Sequence, residues 1–249
     1  MHLAQRVQTL KPKVLPSPWP GYEHFYGYGV MILPWSSGHL LGLRVFPEND
    51  FAPYCSVWHR PPGEGWHIHN DGPSLRTTCP RWWGPALQEA TLTSIDLTWT
   101  GPNRLRVELE EPDLEWTMEM SAPWTLHRLN AASAALPLPV WKMSPALHLG
   151  EWMAKRWLDL GDLRFSFETP SGQSAAIIPQ EIFFIRSSEA RLQGKDLGQP
   201  VRLPENPEIG SVALPKRPVF MIGHAFARIL DAEEYRQMRR AVAPSESRS

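Results

Sequence analysis

Three segments that alternate apolar and polar residues follow one another between residues 95 and 120, and they limit the possible folds more than any other stretch. Ile95, Leu97 and Trp99 alternate with Asp96, Thr98 and Thr100. Leu105, Val107 and Leu109 alternate with Arg104, Arg106, Glu108 and Glu110; Leu114, Trp116, Met118 and Met120 alternate with Glu115, Thr117 and Glu119. Successive side chains of a strand point to opposite faces, so this period of two marks strands with one dry and one wet face. Gly101-Pro102-Asn103 and Glu111-Pro112-Asp113 supply the turns of an antiparallel meander.

The same period recurs earlier. His24, Tyr26, Tyr28 and Val30 alternate with Phe25, Gly27 and Gly29, giving one aromatic face and one partly bare face. Glycines so placed permit close backbone approach or strong coiling. Gly27-Tyr28-Gly29 is not a phosphate loop, because neither a third glycine nor a helix follows. Further strands are expected at 39–46 and 54–60. Beyond Gly161, the alternation of Leu163, Phe165 and Phe167 and the apolar run 175–185 add two more, and shorter runs lie at 190–192 and 219–222. The 26 prolines are dispersed between these runs and read as strand punctuation.

Helices interrupt the pattern in the middle. Ser144-Pro145 opens one and Gly161 closes it, with Leu149, Trp152, Met153, Trp157 and Leu160 expected on the inner face. Glu151 and Lys155 are spaced to pair on the outer face. A weaker helix over 123–136, separated by Pro137 and Pro139, completes a helical hairpin. Its Trp124, Leu126 and Leu129 suit packing across a barrel end, a lid or a membrane-touching surface. Asp231 with Glu234 caps a closing helix that runs through Arg240.

The organisation expected is an extended lead-in over 1–21, an N-terminal β half over 22–121, the helical hairpin over 122–161, a C-terminal β half with its closing helix over 162–243, and a disordered tail over 244–249. The fold class is mainly β: an antiparallel lipocalin-like barrel, or two β halves joined by the hairpin.

Lys plus Arg (25) nearly balances Asp plus Glu (26), and no basic block suggests a nucleic-acid partner. No run approaches the ~20 apolar residues of a spanning helix, and residues 1–10 do not read as a signal peptide. Two cysteines in a chain of this size make no disulfide framework, so a cytoplasmic protein is expected. Nucleophile-elbow, Walker and His-Glu-x-x-His patterns are missing, so no cofactor is expected. Nothing in the chain fixes an oligomeric state.

Polar chemistry and aromatic walls coincide between Tyr54 and Trp83, which holds both cysteines, four of the twelve tryptophans and three of the nine histidines. In a strand, His67, His69 and Asp71 project from one face. They could donate protons inside an apolar cavity, where burial raises a carboxyl pKa, while Trp58, Trp82 and Trp83 stabilise a developing cation. The same trio with His59 could instead surround a metal, or be the wet face of a hairpin, and the wet face is preferred, so no metal is assigned. Cys79 is a buried thiol or, beside Arg76 and Arg81, an activated one. Arg81 could hold a ligand carboxylate, and Tyr54, Trp58, Trp82 and Trp83 complete the expected ligand-binding set.

The wording Ser56-Val57-Trp58-His59-Arg60, Asp71-Gly72-Pro73, Cys79-Pro80-Arg81-Trp82-Trp83-Gly84 and Leu97-Thr98-Trp99-Thr100-Gly101-Pro102 resembles a group of bacterial proteins of similar length without assigned activity. The β-rich layout with a mid-chain helical segment is similar to the lipocalin-related carotenoid 1,2-hydratase and hydroxyneurosporene synthase type. That resemblance implies a cavity for an apolar terpenoid- or polyene-like ligand. The chain is expected to hydrate, cyclise or isomerise such a ligand, as a lyase or isomerase, or to carry it without chemistry.

Overall fold

The structure, a computed structural model, describes residues 2–14 and 17–242. The tail over 244–249 lies outside the described residues. Ten strands form the body of one sheet: β1 Tyr22–Val30, β2 Leu40–Asn49, β3 Tyr54–Arg60, β4 Trp66–Asp71, β5 Leu87–Leu92, β6 Ile95–Gly101, β7 Arg104–Leu109, β8 Leu114–Ser121, β9 Ser174–Leu192 and β10 Val219–Arg228. Their order in space is β5-β4-β3-β2-β1-β10-β9-β8-β7-β6. All neighbours are antiparallel except β4 and β5.

Because β1 pairs with β10 and β8 with β9, strands from before and after the helical segment share one sheet rather than forming two halves. The bridging strand is β9, whose two expected runs are continuous. Its first part pairs with β10 and its second with β8, and a bulge between Pro179 and Glu181 accommodates the proline's missing N–H.

The outermost strands β5 and β6 are consecutive in the chain, separated only by Thr93 and Ser94, so the two edges must approach at this seam. There Thr93 N–H donates to Asn70 O at 2.8 Å and Ile95 N–H donates to Asp71 Oδ2 at 3.1 Å. The ladder stops at β5 on one side and β6 on the other, making a curled, open half-barrel with helices around it. Curling needs backbones that approach closely. A Cβ at Gly27 or Gly29 would collide with the carbonyl oxygens of Val45 and Leu43, so the bare face of β1 permits the tight crossing over β2.

Residues from both ends of the strand order meet in one cluster, which a curled sheet allows only on its concave side. Leu41, Leu43 and Val57 there pack with Leu105, Trp116 and Met118. Helix α1, Leu3–Gln8, lays Leu3 and Val7 on the same cluster, followed by Leu10. Their i, i+4, i+7 spacing is one helical face, so ordered structure begins well before Tyr22. The centre of the concave side is therefore filled.

Two further clusters lie outside this core. One lies under helix α2 (Pro80–Trp83), the small ribbon of Glu208–Ile209 with Val212–Ala213, and helix α5 (Ala232–Val242). Asp231 Oδ1 caps α5, accepting from Glu233 N–H at 2.8 Å and Glu234 N–H at 3.0 Å. The other lies under helices α3 (Trp124–Ala135) and α4 (Ser144–Arg156), joined by a 3₁₀ turn at Leu138–Lys142.

Helix α4 turns a different face inward from the expected one, and of the five residues expected inside only Leu160, beyond the helix end, is fully buried. Leu147 and Ala154 are buried, whereas Leu149, Trp152 and Trp157 are 52–61% exposed. Small inner residues decide this: the Phe165 ring lies where a Cβ on Gly150 would be, bringing α4 too close to the sheet for large side chains. Glu151 turns inward to accept Phe165 N–H at 2.8 Å and pairs with Arg164, while Lys155 pairs with Asp162 instead of Glu151. Among the described residues no helix is long and apolar enough to cross a membrane.

Candidate functional site

Alternation along β3 and β4 sorts their side chains between the two faces of the sheet. Tyr54, Trp58, Trp66 and Ile68 belong to the convex cluster, whereas Cys55 and Val57 belong to the concave one. His59, His67, His69 and Asp71 take the concave-side positions, with His59 opposite His67 and Cys55 opposite Asp71. The aromatic walls and the candidate proton donors are thus on opposite faces.

The histidines form a chain at the strand ends. His39 Nδ1 lies 2.9 Å from His59 Nε2, and the His59 and His67 rings are 6.2 Å apart. His67 meets Glu89 Oε2 at 3.3 Å, and His69 meets Thr91 Oγ1 at 2.9 Å. Burial pulls His59 down to about 3 and lowers His39 and His69, so these three rings are neutral at pH 7. Among the described residues no group of three or more His, Cys, Asp or Glu side chains is arranged to hold a metal ion. Asp71 is exposed at the seam, where it borders an open depression of ≈ 410 Å³ with Leu10, Tyr28 and Trp99.

An apolar pocket of ≈ 120 Å³ lies on the convex side, between the sheet and its outer layer. Phe25, Arg44, Phe46, Trp58 and Ala225 form its floor; Trp82, Trp83, Leu160, Phe165 and Phe167 form its roof. A side chamber of ≈ 40 Å³ shares Met31, Arg44, Phe46 and Ala225, and the bare backbones of Gly27, Gly29 and Gly223 line it. The structure therefore brings Trp58, Trp82 and Trp83 of the expected ligand set together. Tyr54, Arg81 and the His67, His69 and Asp71 trio do not line this pocket.

Arg81 is engaged elsewhere. Its guanidinium grips both oxygens of the buried Glu23, with Nη1 donating to Oε1 at 2.6 Å, and it lies over the rings of Trp82 and Phe51. Burial pushes the Glu23 carboxyl up, against the pull of Arg81. The fork that could hold a ligand carboxylate is occupied by the protein's own.

Arg44 takes the place in the wall that sequence reading assigned to Arg81. It is only 9% exposed and lines both chambers. Nη1 donates to Val30 O and, at 3.0 Å, to Leu43 O; Nη2 donates to Met31 O at 2.9 Å. Its guanidinium carbon stands 4.7 Å from the Trp58 ring centroid. None of the ion pairs among the described residues involves Arg44. Burial lowers it to about 10, so it stays protonated at neutral pH. The available signal was a single charge inside the apolar run Leu40-Leu41-Gly42-Leu43-Arg44-Val45-Phe46.

Beside Arg44 the Cys79 thiol has Ser56 Oγ at 3.4 Å and Tyr54 Oη at 3.5 Å, and Trp58 Nε1 donates to Ser56 Oγ at 3.1 Å. Burial raises both Cys79 and Tyr54, so the thiol is protonated rather than activated. Cys55 and Cys79 are both free and buried.

Compared with known proteins, the chain matches no protein-family model, no curated protein and no solved structure.

Proposed function

We propose that the protein binds a small apolar carboxylic acid in the convex-side pocket, with the carboxylate set against Arg44, and carries it without transforming it. The observation behind this reading is a buried guanidinium, with no carboxylate partner among the described residues, in the wall of an otherwise apolar hollow. Taking a cation out of water is costly unless it is paired, and a planar guanidinium matches a carboxylate best. A ligand anion would supply the missing charge.

Size narrows the ligand class. The main chamber is comparable to the cavity of roughly 150 Å³ that accepts benzene in an engineered apolar core. An aromatic ring or a single branched unit fits it, whereas a whole polyene would have to extend beyond. The side chamber, floored by glycine backbone next to Arg44, suits the small polar head.

A carrier is favoured over a hydratase or cyclase because of what faces the hollow. The trio Asp71, His67 and His69 takes concave-side positions, the thiol in the wall is protonated, and the hydroxyl groups near it already have partners. Two of the three ring faces proposed to stabilise a cation are also in use, Trp58 by Arg44 and Trp82 by Arg81. The carrier role matches the lipocalin-like reading, although the ligand would sit outside the curl of the sheet.

Isothermal titration with phenylacetate and methyl phenylacetate tests this directly. The acid is expected to bind at least about tenfold tighter than its ester, the value of a charge-assisted pair in a dry site. Equal affinity for the two, or no binding of either, would overturn the proposal.

A further inference from the structure

We infer that the outward faces of α3 and α4 form a docking surface for an anionic lipid bilayer. Burial runs along one side of each helix: Leu126 and Asn130 on α3, Leu147 and Ala154 on α4. Both inner sides pack on the same cluster, so both outer sides point away from the sheet. At 100° per residue, Trp124 and Arg128 centre the outer side of α3, and Trp152, with Leu149 and Arg156, that of α4.

Two independent features select a bilayer over other occupants. The first is the kind of apolar residue exposed. Trp124 is 69% exposed, Trp157 61% and Trp152 52%, and the Trp152 and Trp157 rings meet edge to face at 5.5 Å. Six of the nine exposed large hydrophobic side chains of the described residues fall between residues 124 and 157. Exposed tryptophans on helices lying along a surface are the residues that settle at a lipid headgroup boundary.

The second feature is charge. Residues 122–157 contain four cations, Arg128, Lys142, Lys155 and Arg156, and one acid, Glu151, in a chain whose net charge is −1. Glu151 is turned inward and tied to Arg164 and the Phe165 N–H, so it does not oppose them. Lys155 pairs with Asp162, whereas none of the ion pairs among the described residues uses Arg128, Lys142 or Arg156. Tryptophan interleaved with unpaired basic residues is complementary to anionic headgroups.

The site has a further consequence. Trp157 leads directly into the segment whose Leu160, Leu163 and Phe165 line the convex pocket, so a docked molecule would present that pocket's rim to the membrane. The docking surface stands on its own evidence whether or not the pocket holds an acid.

Co-sedimentation of the full chain with two vesicle preparations, pure phosphatidylcholine and an equimolar mixture with phosphatidylglycerol, tests the surface. The protein is expected to pellet with the mixed vesicles at low salt and to be released as salt rises. Arg156→Glu should weaken partitioning at least about fivefold, the worth of one cation near such a surface. The Trp152→Ala/Trp157→Ala pair should weaken it more than tenfold, leaving the circular dichroism melt unchanged because both side chains are exposed. Equal partitioning to both vesicles, or none to either, would overturn the inference. So would sedimentation velocity showing a dimer that the tryptophan pair converts to monomer, since a second copy would then be the occupant.

Discussion

The two sides of the curled sheet are built from the same strands and do different things. On the concave side, residues from strands distant in sequence interlock around Trp116 and Met118, both fully buried, and α1 covers them. On the convex side, the strands carry smaller residues, Gly27, Gly29, Gly223 and Ala225, and the outer layer does not fill the space above them. Close packing stabilises; a hollow does not. A protein that leaves a hollow beside a buried cation, while filling the centre of its other face, has placed its stability and its binding capacity on opposite sides of one sheet.

Truncating the concave core should cost the most stability. Trp116→Ala removes a fully buried ring and the hydrogen bond from its Nε1 to Ser188 Oγ, and is expected to cost about 3–5 kcal/mol in urea unfolding. Ala225→Leu, which extends a side chain into the convex pocket, should change stability by less than about 1.5 kcal/mol and abolish phenylacetate binding. Comparable destabilisation by both would mean the convex space is as tightly packed as the concave core.

Acid should reveal the next largest effect. Burial lowers His24 to about 4 and His59 and His224 to about 3, so the folded protein holds them neutral while the unfolded chain protonates near 6.5. Their contribution is fully present above 6.5 and is lost as pH falls towards those folded values. Asp50, which burial raises to about 6, acts in the opposite sense, losing its contribution as pH rises through 6. Three imidazoles outweigh one carboxyl, so the urea midpoint at about pH 5.5 should correspond to roughly 2–3 kcal/mol less stability than at pH 7. An unchanged midpoint would show that these rings are solvated.

Asp71→Asn should have the smallest effect. The amide oxygen can still accept from Ile95 N–H, so stability should change by no more than about 1 kcal/mol and phenylacetate affinity should not change. A large loss of affinity would move the binding site to the concave side and revive Asp71 as a proton donor.

What the sequence made legible was whatever depends on neighbours in the chain. The meander over 95–120, the strand Tyr54–Arg60, the cap at Asp231 and the coiling role of Gly27 and Gly29 all follow from local periodicity and local backbone demands. Alternation in β4 also correctly placed His67, His69 and Asp71 on one face, but it could not say which face met a hollow. The rest depends on partners far along the chain. Arg81 is occupied because Glu23, distant in sequence, lies beneath it; among the described residues no strand brings Arg44 an acid. Helix α4 turns a different face inward because Phe165 packs against Gly150, and α1 leaves no signal in the chain because the surface it covers is assembled from strands at both ends of the sheet.

A crystal structure with bound 4-bromophenylacetate, phased for its bromine, would locate the ligand outright. Anomalous density is expected between Trp58 and Phe165, with the carboxylate within hydrogen-bonding distance of the Arg44 guanidinium. Bromine in the depression beside Asp71, or a carboxylate turned away from Arg44 towards solvent, would contradict the proposed site.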